Sequence, residues 1–272
     1  MVKPGELKNM AAYLHEQHEV SLTRACKVVC LPKSMYYYRS IKDDSAVADK
    51  LLELAAKKPA EGQDKFYARI RNEGLIWNYK RVRRVYGLLK LNKRRRHKRR
   101  VPTRVKQALV QPEALNQSWS MDFMNDVLTS KRKFRTLNIL DDYNRQAVHI
   151  EIGFSFAGNN VVKALQKAIH DYGKPQQIRV DNGPEFIGSY LSEWCEKQEI
   201  ELKYIQPGKP TQNAYIERFN RTFRQDILDA YLFEDLQQVR VLTEEWMNDY
   251  NNERPHEALN GMSPKQYRQS AY

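Results

Sequence analysis

The order of strand-like and helix-like segments after residue 116 is the feature that most limits what this chain can fold into. Residues 119–128, 135–140 and 146–152 have the composition and alternation of strands, and short polar connections separate them. Such closely spaced segments indicate an antiparallel meander. Helix-like and strand-like segments then alternate, in the order β-β-β-α-β-α-β-α. This order predicts one α/β domain.

Three acidic residues lie on separate elements of this predicted domain. Asp122 lies inside the first strand, Asp181 ends the fourth, and Glu217 lies on a helix, with 35 residues between Asp181 and Glu217. Such elements can bring their carboxylates to one sheet edge, and carboxylate oxygens are ligands that Mg²⁺ prefers. The arrangement predicts a metal site that acts on phosphates. The chain has 33 acidic residues, so the spacing by itself has little specificity.

The charge of the chain is unevenly distributed. Its formal net charge is +13, yet residues 1–110 hold 27 Lys and Arg against 10 Asp and Glu, which leaves −4 for residues 111–272. An ordinary solvated, lysine-rich surface would spread the charge more evenly. The asymmetry predicts a nucleic-acid-binding front half joined to a domain that uses carboxylates.

Helix-like segments in the basic front half predict DNA-binding helices. Residues 1–42 read as short helices with a tight turn, which is typical of a helix-turn-helix, although an ordinary helical hairpin is the alternative. Residues 43–92 form a second helix-turn-helix candidate, whose last helix is apolar on one face and basic on the other. The basic DNA-contact candidates on that helix are Lys80, Arg81, Arg83 and Arg84.

Residues 93–114 are predicted to be a basic linker, because the run of like charges at its start repels itself. Each cation that neutralises a DNA phosphate there would release a counterion. We therefore expect a salt-sensitive, sequence-independent clamp. Its DNA-contact candidates are Arg94, Arg95, Arg96, Lys98, Arg99 and Arg100.

Cysteine content and hydropathy bear on the compartment. The three cysteines, Cys26, Cys30 and Cys195, are too few and too scattered for a disulfide scaffold. No apolar run approaches the roughly 18 residues that span a membrane, and the N-terminus lacks a signal-peptide core. We expect a cytoplasmic protein of a bacterium with access to the nucleoid, and no membrane partner.

Residues around the three acids make the pattern much more specific than the acids alone. The chain resembles the DDE transposase and retroviral-type integrase family, and most closely the larger, OrfB-type subunit of bacterial insertion-sequence transposases of the IS-three group. The matching segments are WSMDF at 119–123, LDDYNR at 140–145, VDNGPEF at 180–186, QNAYIERFN at 212–220 and YNNERPHEAL at 250–259. The gap of 35 residues between Asp181 and Glu217 also agrees with the family's final spacing.

The resemblance implies an α/β, RNase H-like integrase catalytic core, with a mixed five-stranded sheet and helices, preceded by small all-α helix-turn-helix regions. It implies that Asp122, Asp181 and Glu217 are catalytic and hold two Mg²⁺ or Mn²⁺ ions. The implied reaction frees 3′-hydroxyl groups at transposon ends and joins them to target DNA. That chemistry forms no covalent enzyme–DNA intermediate and uses no nucleotide cofactor.

The expected domain organisation follows from these patterns. It comprises a helix-turn-helix-like region at 1–42, a DNA-binding region at 43–92, the basic linker at 93–114, and a catalytic domain with a C-terminal helical extension at 115–272. Arg224 lies two helical turns after Glu217, where its guanidinium could hold a DNA phosphate or simply be solvated. Asp141 and Asp142 are expected to be structural. Glu185 is interpreted as a loop or substrate-contact residue, with metal coordination as the alternative.

The implied partners are double-stranded DNA, namely the terminal inverted repeats of a transposon and its target, and further copies of the chain. Members of the group also act as a frameshift fusion with a smaller, upstream-encoded protein. A transposase-derived DNA-binding protein without catalysis is an alternative function, but the presence of all three acids argues against it. An RNA-degrading nuclease of the same fold is another, and the segment after Asp181 fits integrases better.

Overall fold

The structure, a computed structural model, describes residues 4–39, 43–93, 111–156, 158–206 and 210–270, and of residues 210 and 211 it describes the backbone alone. The chain forms two compact units, Met1–Asp49 and Lys50–Tyr272, which we describe separately. The six cations of the predicted phosphate clamp lie outside the described residues, and that prediction is therefore untested. They are Arg94, Arg95, Arg96, Lys98, Arg99 and Arg100.

The first unit is a small helical cluster. It contains α1 (Pro4–Gln17), α2 (Leu22–Val28), α3 (Lys33–Tyr37) and the first turn of α4 (Ser45–Lys57). Ala11, Ala25 and Cys26 are buried together at its centre. Cys26 therefore serves as a small apolar core residue, as cysteine commonly does.

The second unit begins with the rest of α4, followed by α5 (Gln63–Asn72) and α6 (Tyr79–Leu88). Asn78 caps α6, because its side chain accepts a hydrogen bond from the backbone N–H of Lys80 at 2.8 Å. Val82 and Val85 are buried on one face of α6, while Lys80 and Arg83 are exposed on the other. The amphipathic, basic helix predicted for this segment is thus present.

A mixed sheet of five strands forms the centre of the second unit. Its strands, in the order β3-β2-β1-β4-β5, are β1 (Ser118–Val127), β2 (Lys133–Asp141), β3 (Ala147–Gly153), β4 (Gln177–Val180) and β5 (Glu201–Tyr204). The first three pair antiparallel, and β4 pairs parallel with both β1 and β5. This confirms the predicted meander and α/β order.

Helices cover both faces of the sheet. They are α7 (Gly158–Tyr172), α8 (Pro184–Ile187), α9 (Ser189–Lys197), α10 (Ala214–Phe223), α11 (Leu236–Asn252) and α12 (Pro264–Ser270). The helix expected at 213–228 is α10 followed by a π-helical turn, Arg224–Leu228. Such turns are local irregularities that occur often near functional sites.

The strand alternation separates two hydrophobic cores, because successive side chains point to opposite faces of a sheet. On one face, Trp119 and Met121 of β1 pack with residues of α7 and α9, including Leu165 and Leu191. On the other face, Met124 packs with residues of α10 and α11. Asp122 shares this second face, so the strand places its carboxylate towards α10.

The turn between β2 and β3 holds strand ends together. Asp142 is fully buried and accepts hydrogen bonds from the hydroxyls of Ser118 at 3.0 Å and Ser120 at 2.6 Å, and from Arg179 at 3.0 Å. Burial raises the pKa of Asp142, against the effect of these donors. Asp141 accepts from the backbone N–H of Asn116 at 2.9 Å. Both aspartates have the structural role expected of them.

A buried ionic network connects α5 to the C-terminal part of the second unit. Arg69 donates to Glu61 at 2.7 and 2.8 Å and to Asp249 on α11 at 3.0 and 3.2 Å. Arg254 donates to Asp226 at 2.6 Å and lies 3.3 Å from Glu61. Both arginine side chains are 6% exposed. This network therefore bonds α5 to α11 and to the segments that follow α10 and α11.

No helix within the described part of the chain is long and apolar enough to cross a membrane.

Candidate active site

Asp122 is held by donors from its own strand and from α10. Its Oδ1 accepts the backbone N–H of Phe123 at 2.8 Å, and its Oδ2 accepts Nδ2 of Asn220 at 2.7 Å. Strand pairing places Asn138 of β2 opposite Asp122, and Nδ2 of Asn138 donates to Oδ1 of Asn220 at 2.7 Å. A chain of amides thus orients the carboxylate.

Asp181 and Glu217 enter the same region from two other elements. Asp181 directly follows β4, which lies next to β1 in the sheet, and its Oδ1 accepts the backbone N–H of Gly183 at 2.9 Å. Glu217 lies in the first turn of α10 and is exposed, one helical turn before Asn220. The helix therefore carries one acidic candidate and the amide that holds another.

The three carboxylates share one electrostatic environment. Burial, together with repulsion from Asp181 and Glu217, raises the pKa of Asp122 to about 6. The N–H groups of Phe123 and Asn220 oppose this rise, because they stabilise the charged form. A raised pKa that has both a burial cause and specific charged neighbours is a feature of functional sites.

The donor chemistry of this site fits a hard divalent cation, since it consists of carboxylates that repel one another. A cation placed among them would offset the repulsion that raises the pKa of Asp122. Across the residues that the structure describes, no group of three His, Cys, Asp or Glu side chains is arranged so that it could hold a metal ion. The residues thus fit such an ion by type and electrostatics, while their described positions are not those of a formed coordination shell.

Asn220 and Asn138 are site residues that the sequence reasoning missed. Asn220 does lie within the motif that contains Glu217, three residues further along one helix face, and this spacing is the signal that could have found it. Asn138 has no comparable signal, because its place opposite Asp122 depends on strand register.

Two sequence models described as "Integrase core domain" match residues 112–210 and 198–264. The 31.7 kDa protein of insertion element IS407 from Burkholderia multivorans is 37% identical over 93% of this chain and 92% of that protein. The chain belongs to the integrase core family. A 39.2 kDa protein of insertion element IS476 from Xanthomonas euvesicatoria is 34% identical over 93% of this integrase-family chain and 73% of its own length.

A solved structure also has the same fold as this integrase core protein. The simian T-cell lymphotropic virus intasome in complex with the PP2A regulatory subunit B56 gamma matches 79% of this chain and 73% of that chain, with a TM-score of 0.50 and 13% identity. The resemblance in sequence and the RNase H-like fold predicted from it are thereby confirmed. Family membership places the chain among enzymes of the transposase and integrase class, which normally use divalent metal ions and act on DNA.

The predicted DNA-contact residues of this integrase core protein lie in different settings. Lys80, Arg83 and Arg84 are exposed on α6, and Arg81 is half-buried there. Arg224 donates to the backbone carbonyl of Asn125 at 2.9 Å and is partly exposed, at the junction of α10 and the π-helical turn. This contact ties the helix after Glu217 to β1.

Proposed function

We propose that the chain is a DNA transposase that cleaves transposon ends to free 3′-hydroxyl groups and joins them to target DNA. In this proposal Asp122, Asp181 and Glu217 are the catalytic residues and hold two Mg²⁺ or Mn²⁺ ions. The observation that carries it is the placement of the three carboxylates. Asp122 on β1 is bonded to Asn220, which lies one helical turn after Glu217 on α10, and Asp181 follows β4, the strand beside β1. The repulsion that raises the pKa of Asp122 comes from both other carboxylates. Three carboxylates from β1, the turn after β4, and α10 therefore act on one another.

The chain's own contribution to the reaction would be orientation and charge. When bound, the metal ions would activate the attacking oxygen and stabilise the leaving oxygen at a phosphodiester. Asn220 and the Phe123 N–H hold Asp122 in one orientation, which limits the reorganisation needed to receive a cation. The attacking groups are water and then the freed 3′-hydroxyl. The protein supplies no nucleophile, and no covalent enzyme–DNA bond forms.

The basic residues would hold the DNA outside the chemical centre. We assign phosphate contacts to Lys80, Arg81, Arg83 and Arg84 of α6, to Arg224, and to the six cations of the clamp. Contacts to phosphates position DNA, whereas sequence is read at base edges. Self-association and a frameshift fusion with a smaller upstream-encoded protein belong to the same proposal, because two transposon ends must be held together.

The test uses the full chain and duplex DNA that carries the sequences flanking its reading frame in the genome. With Mg²⁺ or Mn²⁺, we expect nicking that leaves a 3′-hydroxyl, followed by joining to a second duplex. Asp122→Asn, Asp181→Asn and Glu217→Gln should each lower the nicking rate by at least about 100-fold, because each removes a metal-binding charge. Glu201→Gln, on an exposed pair of β5, is the matched control.

Two results would reject the proposal. A Glu217→Gln variant that nicks as well as the parent would remove Glu217 from the site. Tight binding of end-bearing DNA without nicking by the parent under any divalent ion would favour a transposase-derived DNA-binding protein. An RNA–DNA hybrid is assayed beside the duplex, and preferential cleavage of the hybrid would indicate an RNA-degrading nuclease of the same fold.

A further inference from the structure

The turn that carries Asp181 is anchored on the face of the sheet opposite α10. Phe186 in this turn is 1% exposed and belongs to the core beneath α7 and α9. Its ring stacks on Phe123 with centroids 5.1 Å apart and planes 26° apart. Phe123 directly follows Asp122 on β1. One aromatic contact therefore joins the turn of one candidate carboxylate to the strand of another.

An ion pair reinforces this contact from β2. Arg135 donates through Nη1 to Oε1 of Glu185, which directly precedes Phe186. The same guanidinium lies over the Phe123 ring, 4.2 Å from its centroid. The Arg135 and Glu185 side chains are 24% and 20% exposed. Screening by water is thus reduced without the full desolvation cost of a buried pair.

Gly183 lies next to the carboxylates of both Asp181 and Glu185. Its N–H donates to Oδ1 of Asp181 at 2.9 Å. A Cβ at position 183 would lie 2.9 Å from that same oxygen and 3.3 Å from Oε2 of Glu185. Oxygens of both carboxylates therefore crowd the one position that a side chain at 183 would occupy, which only glycine leaves open. The hydroxyl of Tyr204 donates to the carbonyl of Phe186 at 2.8 Å and fixes the far end of the turn.

We propose that the Glu185–Arg135 ion pair is a positioning pair, which holds the turn of Asp181 against β1 and so sets the place of the Asp181 carboxylate beside Asp122. The inference rests on the proposed function, because it concerns Asp181 as a metal ligand. Glu185 itself holds no metal in this assignment, since its Oε1 is engaged by Arg135. Both partners act through Asp181 and touch neither DNA nor the reacting atoms.

Manganese binding to the full chain, measured by electron paramagnetic resonance without DNA, tests the pair. Groups that orient metal ligands typically change metal affinity by about 10- to 100-fold when removed. We expect losses in that range for Glu185→Gln and Arg135→Gln, with melting temperatures equal to that of the Glu201→Gln control. Asp181→Asn gives the loss expected when a ligand itself is removed.

The exchange variant, Arg135→Glu with Glu185→Arg, separates a positioning role from a direct one. It should regain more than half of the lost affinity on a logarithmic scale, because the pair is restored in reverse. If the exchange variant has a lower melting temperature than the parent, Arg135→Lys is used in its place. This variant keeps the positive charge and should bind Mn²⁺ more tightly than Arg135→Gln. Equal losses in those two variants would overturn the role of the pair.

Other outcomes also decide the question. Parental Mn²⁺ affinity in Glu185→Gln would overturn the inference. A loss as large as that of Asp181→Asn, with no recovery in a well-folded exchange variant, would make Glu185 a ligand instead. If the parent fails to nick DNA while Glu185→Gln still weakens Mn²⁺ binding, the proposed function fails and the positioning pair stands. If the parent nicks DNA while Glu185→Gln binds Mn²⁺ as the parent does, the proposed function stands and the positioning pair fails.

Discussion

Asp122 is the residue in which the demands of the fold and of the proposed metal site conflict most directly. It is partly buried beside two other carboxylates, and two N–H donors only partly offset the cost of its charge. Residues of this kind are destabilising in the free protein and useful when a cation arrives. The conflict has a measurable consequence for stability.

Asp122→Asn is expected to stabilise the metal-free protein at neutral pH. The folded-state pKa of about 6 lies above the ordinary 3.8, so the folded state binds the proton more tightly and loses this advantage as pH rises through about 6. The difference between these two pKa values corresponds to about 3 kcal/mol of stability. About 1 kcal/mol of this gain is lost again, because the amide in Asp122→Asn would accept one hydrogen bond fewer than the carboxylate does. A gain of about 2 kcal/mol in the free energy of unfolding should remain above pH 6.

Urea unfolding without divalent ions, at pH 7.5 and at pH 4.5, measures this effect. The gain should be largely absent at pH 4.5, where Asp122 is already protonated in the folded state. Asp171→Asn, an exposed residue at the end of α7, serves as control and should show no comparable change. Equal gains at both pH values would mean that charge at position 122 is not the cause.

At the scale of elements, the buried ionic network decides how α5 is attached. Arg69 is almost fully enclosed and is shared by Glu61 and Asp249, whose positions are far apart in the chain. Two charged partners on different elements make the guanidinium costly to remove, because among the described ion pairs Glu61 would keep only Arg254 and Asp249 only Lys58. We therefore expect α5 to move with the sheet.

Arg69→Ala should lower the free energy of unfolding of the Lys50–Tyr272 unit by about 3 kcal/mol, because the two carboxylates lose the cation that they share and keep one described ion-pair partner each. Chemical denaturation followed by tryptophan fluorescence measures the loss. Glu253→Ala is the matched control: Glu253 lies 3.8 Å from the same arginine but is 68% exposed. Its effect should stay below about 1 kcal/mol, and a comparable loss in both variants would contradict the network's importance.

For the molecule as a whole, the positive charge and the candidate carboxylates lie in different parts of the sequence. Residues 1–110 carry the positive excess, and the half with the candidate carboxylates is slightly negative. Non-specific affinity for DNA should therefore come from the front half and depend steeply on salt. The exposed basic residues of α6 are one described part of this surface.

The salt dependence of DNA binding measures that division of labour. The slope of log Kd against log salt should fall by about 0.9 for each phosphate contact removed. The double variant with Lys80→Ala and Arg83→Ala should therefore lower the slope by nearly two. Its loss of affinity should be the same for different DNA sequences. Lys167→Ala, at an exposed side chain of α7, removes one positive charge, as each α6 substitution does, and should leave the slope unaltered. A comparable decrease in slope per residue in the α6 variant and in Lys167→Ala would mean that total charge, and not contact at α6, sets the salt dependence.

The sequence alone determined the order of elements, the antiparallel meander and the three carboxylates that the family pattern singles out; their role as metal ligands stays a prediction. These features are legible because apolar periodicity and motifs are local. The tertiary structure alone decided the partners: Asn220 binds Asp122 across 98 positions, Arg135 binds Glu185 across 50, and Arg69 binds Asp249 across 180. Such pairings depend on strand register and helix packing, and no local pattern encodes which distant side chain will meet which.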